Sequence, residues 1–269
     1  MKAKKSLGQH FLTSEGAVDS ILDAADIAGD DIVLEIGPGK GVLTGKLLED
    51  SQQVLAVEKD DSLYEFLKQK FESDVSSGKL ILIHEDILEL DLSKLTAKSY
   101  KLVANIPYNI TGQIIRKFLE ASFQPERMVL MVQKEVAERI VARRHGVSTE
   151  KGEGKESILS ISVKAYGDPK YIQTVKAGSF FPIPNVDSAI LLVENISKEF
   201  FQSFTEEDFF KIVHAGFRSK RKKLSSNLSE MADKTKVFQA FNKLHLDPNL
   251  RAEDAPLSTW KKLAEEILN

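Results

Sequence analysis

Residues 31–41 read Asp-Ile-Val-Leu-Glu-Ile-Gly-Pro-Gly-Lys-Gly, and this stretch decides the fold. Its first part, residues 31–36, is a short apolar run rich in β-branched residues, which favours a buried strand. The glycines that follow let the backbone approach a ligand closely. Because ligands of open α/β sheets bind at the carboxyl ends of the strands, the stretch predicts a strand, a ligand-binding loop and a helix in succession.

Outward from this stretch, short apolar runs alternate with segments of helical period. Such alternation is typical of a parallel, doubly wound α/β sheet. The predicted strands are 31–36, 53–57, 80–83, 101–104 and 127–132, and the predicted helices are 13–25, 42–48, 62–71, 110–119 and 134–142. Two further runs, 171–175 and 188–193, predict an antiparallel hairpin at the sheet edge. Periodicity does not separate helix from strand for residues 158–165.

The pattern changes after residue 193. Four segments of helical period follow without an intervening strand, namely 200–217, 224–231, 236–244 and 258–268. We therefore predict an α/β domain over residues 1–197 and a small all-helical domain over residues 198–269.

Composition excludes several classes of protein. The 269 residues are 42% hydrophobic and include no cysteine, which excludes a disulfide scaffold, a thiolate metal site and thiol catalysis. The histidines have no metal-ligand spacing, so we expect no metal. No long apolar run or signal-peptide core occurs, so we expect a cytoplasmic protein. With a net charge of −3, contacts to nucleic acid must come from local patches.

Polar side chains mark the ends of three more predicted strands: Glu58, Asp86 and Asn105. Glu58 is placed to accept hydrogen bonds from ribose hydroxyls, and Asp86 from an adenine amine. A dinucleotide enzyme shares this layout, but its fingerprint has a third glycine where this chain has Val42. Together with Glu35 and Pro38, the glycine loop around Gly37 and Gly39 better suits a cofactor that carries an amino acid and a sulfonium.

The tetrapeptide Asn105-Ile106-Pro107-Tyr108 suggests the chemistry. The asparagine oxygen and a neighbouring main-chain carbonyl can accept hydrogen bonds from a planar exocyclic amine, while Pro107 has no N–H to compete. Tyr108 offers a flat face on which a base can stack. The tetrapeptide therefore predicts a seat for the amine of an extruded adenine or cytosine. The alternative is an ordinary proline-containing turn with a half-buried tyrosine.

Basic residues concentrate in one run, residues 217–223, which holds Arg218, Lys220, Arg221, Lys222 and Lys223 and no acid. Beside a seat for an extruded base such a run predicts contacts with nucleic-acid phosphates, whereas in isolation it favours a solvated helix face. Further RNA contacts are expected from Lys2, Lys4, Lys5, Arg143 and Arg144.

The motifs extend almost from end to end of the chain. They are Leu-Gly-Gln-His-Phe-Leu at 7–12, Glu-Ile-Gly-Pro-Gly-Lys-Gly at 35–41, Val-Glu-Lys-Asp at 57–60, Glu-Asp-Ile-Leu at 85–88, Asn-Ile-Pro-Tyr-Asn-Ile at 105–110, Val-Gln-Lys-Glu at 132–135 and Phe-Phe-Pro-Ile-Pro-Asn-Val-Asp-Ser at 180–188. With these motifs the chain resembles the ribosomal RNA adenine dimethyltransferases, most closely the bacterial type that acts on small-subunit (16S) rRNA.

The resemblance implies a Rossmann-like class I fold that binds S-adenosylmethionine. It also implies a monomer that transfers four methyl groups to two adjacent adenosines in a hairpin loop near the 3′ end of 16S rRNA. Tyr108 and Phe180 are expected to stack on the two faces of the target adenine, with Asn105 and Pro107 at its amine. The expected cofactor contacts are His10, Leu12, Glu35, Gly37, Gly39, Glu58, Asp86, Ile87 and Asn105.

One stretch departs from the family pattern. Where the family usually has Tyr-Gly-(Arg/Lys)-Leu-Ser, residues 154–160 read Gly-Lys-Glu-Ser-Ile-Leu-Ser, so Lys155 is the candidate for the cation. Two other functions stay open. One is a single-site adenine methyltransferase of large-subunit RNA, of the macrolide-resistance type, and the other is a ribosome-assembly factor that needs no catalysis.

Overall fold

The computed structural model describes Lys4 and residues 8–94, 99–141 and 154–268. These residues form two compact units. The sheet unit comprises the described residues up to Ala137 together with Asp168–Ile196. The helical unit comprises the described residues of Glu138–Gly167 and those from Ser197 onward. In the described ranges, no helix is both long and apolar enough to cross a membrane.

The sheet unit is built on seven strands in the order β4-β3-β2-β5-β6-β9-β7. The strands are Ile32–Ile36 (β2), Gln53–Glu58 (β3), Leu80–His84 (β4), Lys101–Asn105 (β5), Arg127–Gln133 (β6), Asp168–Val175 (β7) and Ser188–Glu194 (β9), and a separate ribbon joins Phe11–Leu12 (β1) to Phe180–Phe181 (β8). The strands from β4 to β6 are parallel, and β9 and β7 close the edge antiparallel. The predicted α/β sheet and its edge hairpin are confirmed.

The register of the central strand determines where the loops emerge. Ile36, the last residue of β2, pairs with Val57 on one side and with Ala104 on the other. The glycine loop, Glu58 and Asn105 therefore leave the sheet side by side. Since chain order reverses at β2, this edge is the crevice in which open α/β sheets bind ligands.

The helices lie at Glu15–Ala25 (α1), Val42–Asp50 (α2), Asp61–Lys70 (α3), Glu72–Ser77 (α4), Thr111–Glu120 (α5), Lys134–Ile140 (α6), Ile158–Lys164 (α7), Glu206–Gly216 (α8), Leu224–Leu228 (α9), Lys234–Lys243 (α10) and Leu257–Leu268 (α11). Several of these helices begin at a capping residue. Ser14 accepts a hydrogen bond from Ala17 N–H at the start of α1, and Asp60 accepts from Ser62 and Leu63 N–H at the start of α3.

Residues 158–165, which periodicity left ambiguous, begin with helix α7. Ser157 and Ser160 exchange side-chain and backbone hydrogen bonds in a capping box that begins it. Ile161 and Ala165 pack in one core with Phe209 and Trp260 of the helical unit. The predicted assignment of residues 138–167 to the sheet domain therefore differs from the structure, because α7 buries its apolar face among helices.

The predicted helix over 200–217 is shorter in the structure. A 3₁₀ turn covers Glu199–Phe201, and α8 begins only after Thr205, whose hydroxyl accepts a hydrogen bond from Asp208 N–H at 3.1 Å. The sequence Thr-Glu-Glu-Asp at 205–208 indicates this cap. The helical spacing of apolar residues starts at the preceding phenylalanines and continues past the cap, so periodicity alone predicts one longer helix.

We expect Gly216→Ala to destabilise the helical unit by about 1–3 kcal/mol, because overpacking a close-packed core forces side chains to shift. A Cβ atom on Gly216 lies 2.3 Å from Cη2 of Trp260 and 2.8 Å from Cδ1 of Leu224. Trp260 is the single tryptophan of the chain, so its fluorescence during urea denaturation reports this unit.

The matched control is Gly16→Ala on α1, where a Cβ atom meets nothing within 4 Å. That change replaces a helical glycine and should leave the tryptophan transition unmoved. An unchanged midpoint for Gly216→Ala would contradict the packing described for α8 and α11.

Candidate active site and basic loop

A cavity of about 250 Å³ lies at the carboxyl ends of the parallel strands. It brings together most of the predicted cofactor and substrate residues, which come from loops far apart in sequence. Those that line it are His10, Gly37, Gly39, Glu58, Asp86, Ile87, Asn105, Pro107 and Tyr108. Leu12, Glu35 and Phe180 do not line it.

The glycine loop forms one wall of the cavity. Gly39 has φ +57°, and a Cβ atom there lies 3.0 Å from the Phe11 ring, so only glycine fits this close approach. The N–H of Gly37 donates to the Val57 carbonyl at 3.0 Å, and the N–H of Gly39 donates to Glu58 Oε2 at 3.2 Å. These bonds hold the loop against the end of β3.

Glu58 lies nearly buried at the end of β3, and both of its oxygens accept backbone hydrogen bonds. Oε2 accepts from Gly39 N–H, and Oε1 accepts from Asp60 N–H at 2.9 Å. Burial raises the pKa of Glu58, and the hydrogen bonds from Asp60 and Gly39 offset part of that rise. Each oxygen keeps a second lone pair, so the group can accept from a vicinal diol.

Asp86 follows β4 and pairs with Lys59 across the cavity wall. Lys59 Nζ lies 2.5 Å from Asp86 Oδ2, and Leu88 N–H donates to Asp86 Oδ1 at 3.0 Å. Partial burial opposes ionisation of Asp86, but the hydrogen bonds from Lys59 and Leu88 and the positive charges of Lys59 and Lys117 together outweigh it, so the pKa of Asp86 is lowered. Asp86 is therefore an ionised acceptor at neutral pH. The sequence did not predict a role for Lys59, because its partner Asp86 follows a different strand and is distant in the chain.

Asn105 is oriented by the segment that precedes β1. Its Nδ2 donates to the His10 carbonyl at 3.1 Å, which leaves the side-chain oxygen Oδ1 as the acceptor for another group. The Pro107 carbonyl already accepts from Ile110 N–H at 3.2 Å. Of the neighbouring main-chain carbonyls of Ile106 and Pro107, that of Pro107 is therefore already engaged, and that of Ile106 is the candidate to act with Asn105.

Tyr108 is half-buried, and contacts to both its hydroxyl and its ring hold the side chain in place. Its hydroxyl lies 2.7 Å from Ser188 Oγ, and its ring lies nearly parallel to that of His10, with centroids 6.0 Å apart. His10 in turn donates from Nδ1 to the Pro182 carbonyl at 2.7 Å, since a carbonyl only accepts. A fixed aromatic face of this kind can receive a planar base.

Glu35 does not contact the cavity, contrary to its predicted cofactor role. It is fully buried behind the glycine loop, and its Oε2 has no hydrogen-bond partner among the described residues. Burial raises the pKa of Glu35 to about 8, and the nearby Thr44 hydroxyl limits the rise. Glu35 is therefore a largely neutral carboxyl at pH 7, and it supports the loop from beneath.

Phe180 is also not at the cavity. In the β1–β8 ribbon, Phe180 pairs with Leu12, and both side chains pack into the sheet core. Phe180 is only 2% exposed, whereas its neighbour Phe181 is 63% exposed. The predicted stacking role of Phe180 does not fit this arrangement, because strand alternation turns the ring inward. The Leu12 side chain is excluded from the cavity for the same reason.

The run at residues 217–223, here called the basic loop, is a connection between α8 and α9 and not a helix face. Asn227 shapes it by donating from Nδ2 to the carbonyls of Gly216 at 2.6 Å and Ser219 at 3.1 Å. Because backbone carbonyls are held by a buried amide, the loop keeps a defined shape that exposes its cations.

The five cations of the basic loop are not equivalent. Arg218 and Lys222 pair with Glu230 at 3.1 Å and 2.8 Å. Lys220, Arg221 and Lys223 are exposed and enter no ion pair with the described residues. Of the other predicted RNA contacts, Lys4 pairs with Asp60 at 2.9 Å, while Lys2, Lys5, Arg143 and Arg144 lie outside the described residues.

Lys155, the candidate replacement for the family cation, is engaged within the helical unit. It pairs with Glu253, and its Nζ lies 3.7 Å from Asp254 Oδ1. The exposed, unpaired cations of the basic loop are therefore better placed for a phosphate. Over the described ranges, no group of three or more His, Asp or Glu side chains is arranged to hold a metal ion.

Two comparisons with known sequences match nearly the whole of this chain. The sequence model of the family described as "Ribosomal RNA adenine dimethylase" matches residues 1–269. Ribosomal RNA small subunit methyltransferase A of Dehalococcoides mccartyi is 42% identical over 99% of this chain and 89% of its own length.

Two solved structures share the fold. A dimethyladenosine transferase from Plasmodium falciparum has a TM-score of 0.79 at 27% identity and covers 94% of this chain and 96% of its own. The 23S rRNA methyltransferase ErmE has a TM-score of 0.75 at 24% identity, covers 96% of this chain and 100% of its own, and shows the fold alone.

We expect Glu35→Gln to change how stability depends on pH. The folded chain holds a proton on Glu35 that the unfolded chain releases above its ordinary pKa of 4.5, so the wild type loses stability as pH rises from there to about 8. The variant carries no such group. Between pH 5 and pH 8 its stability relative to wild type should rise by roughly 2–4 kcal/mol, at about 1.4 kcal/mol per pKa unit.

Urea denaturation followed by circular dichroism at several pH values measures this difference. Glu49→Gln, which changes an exposed carboxylate on α2, serves as the control and should differ from wild type by a constant amount. A pH-independent difference for Glu35→Gln would show that Glu35 is ionised in the folded state.

Proposed function

This chain belongs to the ribosomal RNA adenine dimethylase family, and from that premise we infer which RNA it modifies and how. We propose that it transfers four methyl groups to the exocyclic amines of two adjacent adenosines in a hairpin loop near the 3′ end of 16S rRNA. The names of the similar small-subunit methyltransferases support the choice of subunit. The observation that carries the proposal is the Asn105 amide, whose oxygen is left to accept a hydrogen bond at the cavity.

The family uses S-adenosylmethionine, which supplies an electrophilic methyl group when bound. The residues of the cavity fit this cofactor. Glu58 suits the ribose hydroxyls, and ionised Asp86 suits the adenine amine. In the glycine loop, a Cβ atom on Gly39 would press against the Phe11 ring, which also lines the cavity. Buried Glu35 does not line the cavity, so we do not assign it a cofactor contact.

Asn105 prepares the amine for attack. The nitrogen of an adenine amine is a poor nucleophile, because its lone pair is delocalised into the ring. Asn105 Oδ1 and the Ile106 carbonyl can accept its two N–H bonds, which favours a tetrahedral nitrogen with the lone pair directed at the methyl group. Each acceptor placed in advance contributes about 1–3 kcal/mol to the transition state. A strong base is not required, because the proton can leave after transfer.

Tyr108 holds the target base. An adenine must leave its stack to reach the cavity, which costs a few kcal/mol and is cheapest in a loop. Stacking on Tyr108 returns about 1–3 kcal/mol. Its ring is kept in place by the hydrogen bond to Ser188 and by the neighbouring His10 ring, so little side-chain entropy is lost when a base binds.

RNA outside the cavity is proposed to contact the basic loop. Lys220, Arg221 and Lys223 are the cations most available to phosphates, because Arg218 and Lys222 form ion pairs with Glu230. The partner is 16S rRNA in the small subunit or its precursor. We further propose that the protein acts as a monomer in the cytoplasm, where such a substrate is found.

The nearest alternative is a single-site methyltransferase of large-subunit RNA. The likeness to ErmE concerns the fold alone, whereas the 42% identical relative is named for the small subunit. Incubating the protein with purified small- and large-subunit RNA and labelled cofactor tests the choice. Dimethyladenosine should form in the small-subunit RNA, and label confined to large-subunit RNA would exclude the proposal. A non-catalytic assembly factor would label neither.

We expect Asn105→Ala to lower the methylation rate by about 10–10²-fold, because it removes one placed acceptor of the transition state. RNA affinity should stay within about threefold, since the amide contacts only one amine. Single-turnover methylation and RNA titration measure the two effects. Asn242→Ala, an exposed amide on α10, is the control and should behave as wild type. Equal loss of RNA binding and methylation would contradict the role given to Asn105.

Replacing Lys220, Arg221 and Lys223 by Gln should weaken RNA binding and flatten its salt dependence. Each phosphate that the loop no longer neutralises reduces the slope of log K against log salt by about 0.7–0.9. The control replaces three other lysines of the helical unit, Lys211, Lys243 and Lys262, with the same change in net charge. If the two triple variants had equal slopes of log K against log salt, the basic loop would be ordinary solvated surface.

A further inference from the structure

The segment 181–186, which starts at the last residue of β8, exposes three large apolar side chains. Phe181 is 63% exposed, Ile183 66% and Val186 44%, whereas most large apolar side chains of the sheet unit are buried. Single exposed apolar residues are ordinary on a protein surface, but a cluster indicates a contact surface. We call these three side chains the apolar platform.

The β1–β8 ribbon places the platform at the mouth of the cavity. Phe181 pairs with Phe11, and directly paired residues of an antiparallel ribbon project from the same face. Phe11 lines the cavity, so Phe181 lies beside the cavity wall and outside it. The hydrogen bond from His10 Nδ1 to the Pro182 carbonyl ties the next residue to the same wall.

The platform is also held rigidly at its far end. Asp187 accepts hydrogen bonds at its side chain from Ala177 N–H at 3.0 Å and at its carbonyl from Lys134 N–H at 3.0 Å. An apolar segment anchored at both ends cannot fold its side chains away from water. Its exposure is therefore a property of the fold, and a partner that covers it gains apolar burial at little entropic cost.

A cation lies close to the platform. Lys40 Nζ is 5.1 Å from the centroid of the Phe11 ring, whereas Lys176, at the other end, pairs with Asp187 at 2.9 Å. Aromatic faces bordered by cations are the usual means of holding single-stranded nucleic acid, where bases stack and phosphates are neutralised. An exposed aromatic ring next to the Lys40 cation therefore favours a nucleic-acid strand over an apolar protein segment.

On the basis of the proposed function, we propose that Phe181 stacks on the nucleobase adjacent to the target adenine, with Ile183 and Val186 against its sugar. The target base belongs at Tyr108 and Asn105 inside the cavity, whereas Phe181 lies outside the lining. A neighbour displaced from the loop stack needs a new stacking partner at the mouth. Phe181 thus takes a role that buried Phe180 cannot fill, on a different base.

The test uses the full chain and a hairpin RNA whose loop contains two adjacent adenosines. Fluorescent 2-aminopurine replaces either the target adenine or the base next to it, in separate RNAs. Phe181→Ala should weaken RNA binding by roughly five- to a hundredfold and abolish the quenching of the neighbouring probe. Quenching of the target probe should persist, and Phe181→Trp should restore affinity.

Controls separate stacking from misfolding and charge. Ile172→Ala, at an exposed position on edge strand β7, should bind RNA as wild type does. S-adenosylhomocysteine should bind Phe181→Ala with unchanged affinity by calorimetry, and the salt slope for RNA should match wild type. Wild-type affinity for Phe181→Ala, or loss of quenching only at the target position, would overturn the proposal.

Failure of this proposal is distinguishable from failure of the proposed function. If the wild type methylates small-subunit RNA while Phe181→Ala binds the hairpin normally, only the stacking role is wrong. If the wild type methylates no ribosomal RNA, the proposed function is wrong. If the wild type does not bind the hairpin at all, the platform is not a base-stacking surface.

Discussion

The backbone hydrogen bonds that hold β2 between β3 and β5 determine where the glycine loop, Glu58 and Asn105 meet the cavity. Because Ile36 pairs with both Val57 and Ala104, the glycine loop, Glu58 and Asn105 leave the sheet at one level. If β3 or β5 were shifted by one residue relative to β2, the side chains of the shifted strand would point to the opposite face of the sheet. These groups would then be separated. The bonds from Gly37 to Val57 and from Gly39 to Glu58 continue the same constraint beyond the strands.

The three acidic residues near this edge have different charges because their surroundings differ. Glu35 has no cation close enough to outweigh its burial, so it is largely neutral at pH 7. Glu58 is also buried, but backbone N–H groups on both oxygens partly compensate. Asp86 is more exposed and pairs with Lys59, so it is ionised. Desolvation and local donors, and not residue type, therefore decide which carboxylates can act as acceptors for a ligand.

The segment around His10 links residues that come from different parts of the chain at the cavity. Its carbonyl orients the Asn105 amide, its ring lies beside Tyr108, and its Nδ1 holds Pro182. These contacts join residues that are up to 172 positions apart in the chain. A displacement of this segment is therefore expected to change the orientation of Asn105 and Tyr108 as well. This coupling is a physical reason for the short β1–β8 ribbon beside the main sheet.

The sequence by itself determined the sheet, the helical C-terminal segment and the strand-end residues, because hydrophobic period and glycine position act locally. It also predicted that Asn105, Glu58 and Asp86 lie at one edge as candidate acceptors, since parallel strands bring their carboxyl ends together. Only the tertiary structure showed that the Phe180 ring is buried while its neighbour Phe181 is exposed, because pairing with β1 sets which ring faces the core. The same holds for Glu35, for Lys59 and for the two cations paired with Glu230, whose partners are distant in sequence. Burial and ion pairing depend on neighbours in space, and a linear pattern does not contain them.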